Sequence, residues 1–327
     1  MKRAFRLLGV TVGIGLLIWV ARRFDLPATG RIIAEARYLY LLPLSLLLGG
    51  SYLLRTLRWR TLFPGPNRPR LGSLFGALMS SYLVNNVLPA RAGDLLRAYL
   101  LGQREATSKS QALGTVVVER VVDLSVALLL LVVVLAFSAL PENLDATAIA
   151  GGIACSVLVA GLILVNSAGP RVVAFLVRGL HFLPIHTRTR IEQVALRLVA
   201  GMSTLRGPGR QAQFLSFTAL VWCTELSVVW LTSSMFGLAL PLHGVLLVML
   251  AVAIGTSVPA APGYIGTYEF FGTSALAALG VTGDKSLAFI ITLHAVTFLG
   301  ASVVGAVCLG GQRWQKRQAH DHPHATE

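Results

Sequence analysis

Several runs of about 17 to 25 residues carry no charged side chain, and the solvent that suits such runs is the hydrocarbon of a bilayer. Backbone polar groups find no water there, so each run must satisfy its own hydrogen bonds as a helix. Candidate spans at 5–21, 38–54, 113–140, 146–165, 214–236 and 286–309 are each long enough to cross a core of roughly 30 Å. Composition agrees, with 55% of residues hydrophobic and 13% charged. Two further apolar stretches, 71–88 and 246–280, are interrupted by Pro and Gly. The first run follows Met1, Lys2 and Arg3 and is read as an uncleaved span, because the segment after it opens with Arg22 and Arg23 in place of a small-residue cleavage site.

The net charge of +14 does not point to nucleic acid, because the basic residues are scattered between apolar spans. Let the amino terminus be cytoplasmic and let both broken stretches dip into the membrane and return. Then 22 of the 28 lysines and arginines fall in inner segments, five fall in outer ones, and Arg120 stays inside a helix. That asymmetry is the positive-inside pattern, and it places both termini in the cytoplasm. The expected fold is an all-α polytopic bundle of six full spans plus two re-entrant helical hairpins. Its order, span, span, broken hairpin, span, occurs twice from opposite sides, as in an inverted-topology repeat with halves 1–140 and 146–310. The motifs LPARAG at 88–93 and VPAAPG at 258–263 share a frame that echoes the repeat.

Between the halves, 167–213 carries seven arginines and reads as a cytoplasmic connector whose amphipathic helix, with Ile191, Val194, Leu198 and Met202 on one face, lies along anionic headgroups or packs on the bundle. Residues 311–327, with three His near the end, read as a disordered cytoplasmic tail rather than a metal site. Cys155, Cys223 and Cys308 stand alone in separate spans, so neither a disulfide framework nor a metal motif is implied.

Polar residues inside the greasy chain mark the candidate site. In NNVLPARAGDLLR, Asn85 and Asn86 precede a break at Pro89 and Gly93; Asp94 and Arg97 then stand three apart on a restarting helix, and Arg91 is unpaired in sequence. A guanidinium fork suits a phosphate. In ERVVD, Glu119 and Asp123 share a helix face, Arg120 is spaced to pair with Asp123, and the counter-cation for the two acids is Arg91 or Arg97, or a cationic group of the ligand. In PAAPGYIGTYE, Pro259, Pro262, Gly263 and Gly266 break the second hairpin beside Tyr264, Thr267, Tyr268 and Glu269. An intramembrane Glu is a functional residue by default. Glu225 and His294 are ionisable groups within the fifth and sixth spans, candidates for coupling or for helix-to-helix hydrogen bonds.

Together NNVLPARAGDLLR, ERVVDL and PGYIGTYE resemble the three signature blocks of the flippase-like integral membrane family, relatives of the membrane domain of lysylphosphatidylglycerol synthases. The resemblance runs over roughly residues 5–310. Asp94 stands where that family usually has Glu, and Tyr264 and Ile265 where a second small residue is common; both leave headgroup preference open. The resemblance implies movement of a lipid, or a lipid-linked group, between leaflets of the cell membrane. No soluble synthase domain is present, so the expected substrate is an anionic or polyprenyl-phosphate lipid made elsewhere, with a lipid or glycan synthase as partner. The expected headgroup site comprises Asn85, Asn86, Arg91, Asp94, Arg97, Glu119, Arg120, Asp123, Thr267 and Glu269. No cofactor is expected: there is no phosphate-binding GxxxxGK loop. Two other readings stand beside the non-enzymatic transporter. One is a scaffold docked through the 167–213 arginines, and the other a membrane-embedded prenyl-phosphate transferase or phosphatase using Glu119 with Asp123.

Overall fold

The structure, a computed structural model, describes residues 2–63, 65, 68–88, 92–105, 107–137, 157, 161, 168–175, 177–179, 184–202, 207–256 and 262–321. Its long helices are α1 (Lys2–Arg23), α2 (Leu26–Ala34), α3 (Leu41–Thr61), α4 (Leu71–Val87), α5 (Ala92–Arg104), α6 (Lys109–Phe137), α7 (Ile185–Met202), α8 (Pro208–Met235), α9 (Leu242–Gly255), α10 (Thr267–Ala278) and α11 (Asp284–Asp321). No strand occurs among the described residues.

Among the described residues, Tyr38–Thr61, Pro208–Met235 and Asp284–Gly311 are long and apolar enough to cross a membrane. They coincide with the expected spans at 38–54, 214–236 and 286–309. The span expected at 5–21 lies within α1, and the one expected at 113–140 overlaps α6, which carries Glu119, Arg120 and Asp123 in its first half. The span expected at 146–165 lies outside the described residues, apart from 157 and 161. Leu39, Leu46, Leu299 and Val307 stand exposed along α11 and on or just before α3, as side chains do when their solvent is lipid. The last helix runs on to Asp321, where a disordered tail was expected; Gln, Arg, Lys and Ala after Gly311 favour continued helix.

Exchanging α3 with α8, α4 with α9, α5 with α10 and α6 with α11 carries several of the packed helix pairs onto one another. α4 packs on α5 as α9 does on α10, α5 on α6 as α10 on α11, α3 on α4 as α8 on α9, and α4 on α11 as α6 on α9. α3 and α8, which exchange with each other, pack together. One apolar core gathers Leu44, Leu48, Val228, Val248 and Phe289; a second gathers Trp59, Leu74, Leu101 and Phe214.

Both expected helix breaks are present. Pro89 and Arg91 lie outside the described residues, but the flanks of the first break are held by Asn85, whose amide oxygen accepts the Gly93 N–H at 2.8 Å. A methyl on Gly93 would run into the Ser81 carbonyl, so only glycine lets α5 fold back against α4. At the second break Pro259 is likewise outside the described residues. Pro262–Tyr264 forms a 3-10 turn with Gly263 at φ 73°, and Gly266, at φ 92°, passes against the Gly13 carbonyl of α1. The 262–264 turn packs on α4, which makes the two breaks neighbours.

Candidate functional site

The charged residues of α3, α5 and α6 form one alternating chain of three arginines and three carboxylates. At one end Arg58 grips Asp123 with both terminal nitrogens, at 2.6 and 3.0 Å, and reaches Glu119 at 3.2 Å. The other Glu119 oxygen accepts from Arg97 Nη1 at 2.7 Å. Arg97 Nε lies 3.6 Å from Asp94, beyond hydrogen-bond reach, and Asp94 is held by Arg120 through a two-pronged pair at 2.8 and 2.9 Å. Arg58 and Arg97 are each 2% exposed. Such charges tolerate burial only because each faces an opposite one. Arg97 also lies over the Trp59 ring, 5.0 Å from its centroid, and the Trp59 indole donates to Thr115 of α6 at 2.9 Å.

Two of the sequence expectations change here. Arg120 does not pair with Asp123 but turns across to Asp94, because the helix faces that Arg120 and Asp123 occupy point to different neighbours, α5 and α3. The counter-cation for Asp123 is Arg58, which in the sequence stands among the topology-setting arginines. Its signal was weak, one arginine of three in RTLRWR. The expected Asp94–Arg97 and Arg97–Glu119 partnerships are both present.

The second hairpin contributes a different pair. Glu269 lies in the first turn of α10, where one carboxylate oxygen accepts the Gly266 N–H at 2.7 Å and the other lies 2.6 Å from His294 Nδ1 on α11. The imidazole stacks on Tyr268 at 4.2 Å and meets the edge of Phe298. Thr267 is buried and donates to the Tyr264 carbonyl. Asn86 crosses from the first hairpin to α11, donating to Ser302 at 2.8 Å and to the Phe298 carbonyl at 3.3 Å, while the Phe298 ring abuts Gly263. Polar groups of both breaks therefore converge on α11. Glu225 stands apart, paired across α3 and α8 with Arg55 at 2.7 Å and with Ser51. Among the described residues no group of three or more His, Cys, Asp or Glu is placed to hold a metal ion.

A helical membrane protein with a buried, charge-balanced polar core beside two helix breaks is the class that fold and site define together. A family model for the lysylphosphatidylglycerol synthase TM region matches residues 6–305, and the chain belongs to that family. It is similar to a protein of Haloferax volcanii described as glycosyltransferase AglD, with 31% identity over 295 residues, covering 79% of this chain and 46% of the relative. The chain thus spans about half the length of that curated relative. No solved structure matches it.

Proposed function

We propose that this protein moves a phosphate-bearing lipid between membrane leaflets. In this reading the headgroup passes through the polar core beside the two hairpins while the tails stay in hydrocarbon. The observation that carries it is the chain of Arg58, Arg97 and Arg120 among Glu119, Asp123 and Asp94, placed inside an otherwise apolar bundle. Each guanidinium can grip two phosphate oxygens, and the Nε–H groups of Arg58 and Arg97 are buried without a hydrogen-bond partner. A lipid phosphate entering here would exchange with a carboxylate rather than meet bare charge. Glu119, Asp123 and Glu269 would receive a cationic or hydroxyl-bearing headgroup.

The helix pairs that repeat under this exchange support an inverted repeat, which in this reading has six crossings and two re-entrant hairpins, its halves rocking to open the core to each leaflet in turn. Positive-inside counting supports a cell-membrane protein with both termini cytoplasmic. In this reading the chain transports and does not catalyse. The name of the haloarchaeal relative favours a second reading, in which this domain serves or performs sugar transfer on a lipid carrier.

The test reconstitutes purified protein in vesicles with fluorescent phosphatidylglycerol, phosphatidylethanolamine or a polyprenyl phosphate. It follows movement between leaflets by quenching from outside. The wild type should accelerate movement of at least one phosphate lipid, and Arg97→Gln should lose most of that acceleration. No acceleration of any of these lipids, together with metal-dependent sugar transfer from a nucleotide sugar, would establish the enzymatic reading instead.

A further inference from the structure

We propose that Glu269 and His294 form a proton-binding site that couples lipid movement to proton movement; this rests on the transport reading above. The two groups are 2.6 Å apart and both largely buried, one at the start of α10, where the helix break ends, and one in the interior of α11. Glu225, the other candidate, is paired with Arg55, whose guanidinium does not give up its proton. A carboxylate facing an imidazole differs, because an imidazole is a group that can bind and release a proton.

With Nδ1–H donating to Glu269, the neutral imidazole leaves Nε2 free to bind one proton. The pair then passes from a net charge of minus one to an imidazolium–carboxylate pair of zero net charge. Release of that proton to the opposite face restores the first state. Glu269 also accepts the Gly266 N–H, so the change in charge occurs at the hinge that sets the direction of α10.

Tyr268 stacks on the imidazole, and Glu225 with Arg55 lies beyond it from α8 and α3. α4 presents the neutral Asn86, and α1 presents the Gly13 carbonyl at Gly266. α9 carries only His243, at its opposite end, and Arg31 and Glu35 of α2 are exposed. A cleft of about 380 Å³ lies near the pair, between α1, α10 and the start of α11, with Trp19, Arg23, Phe270, Thr273, Ser274 and Ser286 in its lining. That volume holds on the order of ten waters. Its wall at Thr273 is one helical turn from Glu269, and the Thr273 hydroxyl donates to the Glu269 carbonyl at 2.7 Å.

The experiment uses the full chain in vesicles of phosphatidylglycerol and phosphatidylcholine carrying fluorescent phosphatidylglycerol, with the membrane potential clamped by potassium and valinomycin. A one-unit pH gradient is imposed, and a trapped pH dye follows the protons. Coupling of one proton per lipid sustains about a tenfold difference in labelled lipid between leaflets. His294→Gln, which keeps an amide donor for Glu269 but takes up no proton, should still move lipid yet leave the leaflets equal. Rapid movement by the wild type that ignores the gradient, or a gradient-driven asymmetry that survives in His294→Gln, overturns the coupling and spares the transport reading. No movement of lipid under any gradient overturns both.

Discussion

Arg58 holds two carboxylates at once from a position almost closed to solvent. Replacing it with Gln strands Asp123 and half of Glu119, and leaving a buried charge unpaired costs about 3–5 kcal/mol. Arg58→Gln should therefore lower the unfolding midpoint in detergent far more than Arg120→Gln, because Arg120 is 36% exposed and Asp94 keeps Arg97 nearby. In a double-mutant cycle, Arg58→Gln and Asp123→Asn should be strongly non-additive; additive losses would mean the pair contributes nothing beyond its separate side chains. Gly93→Ala belongs to the same scale. Its methyl meets the Ser81 carbonyl, and the overpacking should cost about 1–3 kcal/mol by thermal unfolding. Spacing made the Asp94–Arg97 pair legible, since three residues on a helix bring two side chains together. Arg58 was not legible, because an arginine turned inward and an arginine obeying the topology rule look the same in a sequence.

The helix breaks were legible from Pro and Gly alone, and the structure adds what each glycine is for. Gly93 lets α5 return along α4, and Gly266 lets α1 pass the second break. The partner of the connector helix was not legible. α7 packs on α6 where Gly114 and Gly201 face each other, so close that a side chain on either would strike the opposite backbone. Two glycines far apart in sequence carry no pattern that joins them. Gly201→Leu should pry α7 from α6, raising hydrogen exchange over 185–202 while α4 and α5 keep their protection. Equal exchange in the variant would show that α7 is held by other contacts.

At the scale of the molecule, the orientation proposed from the charge asymmetry has a direct consequence. With Cys155, Cys223 and Cys308 replaced, a single cysteine at Gln193 in α7 should react with an impermeant thiol reagent only from the cytoplasmic face. One at Lys285 should react only from the outer face, and labelling of both from one side would contradict the proposed topology. The positions of the two breaks were legible, because LPARAG and VPAAPG each carry Pro and Gly within an apolar stretch. Convergence of Asn86, Phe298 and Gly263 on α11 was not, since it depends on how the helices pack. The central claim is that a lipid headgroup travels through the protein's polar core. Photocrosslinking tests it most directly, using vesicles that contain a phospholipid with a photoreactive group on its headgroup and mapping the adducts by peptide mass spectrometry. The account predicts adducts on peptides spanning 85–97, 115–123 and 262–269, reduced in Arg97→Gln. Adducts confined to the lipid-facing surfaces of α3 and α11, unchanged by that substitution, would contradict it.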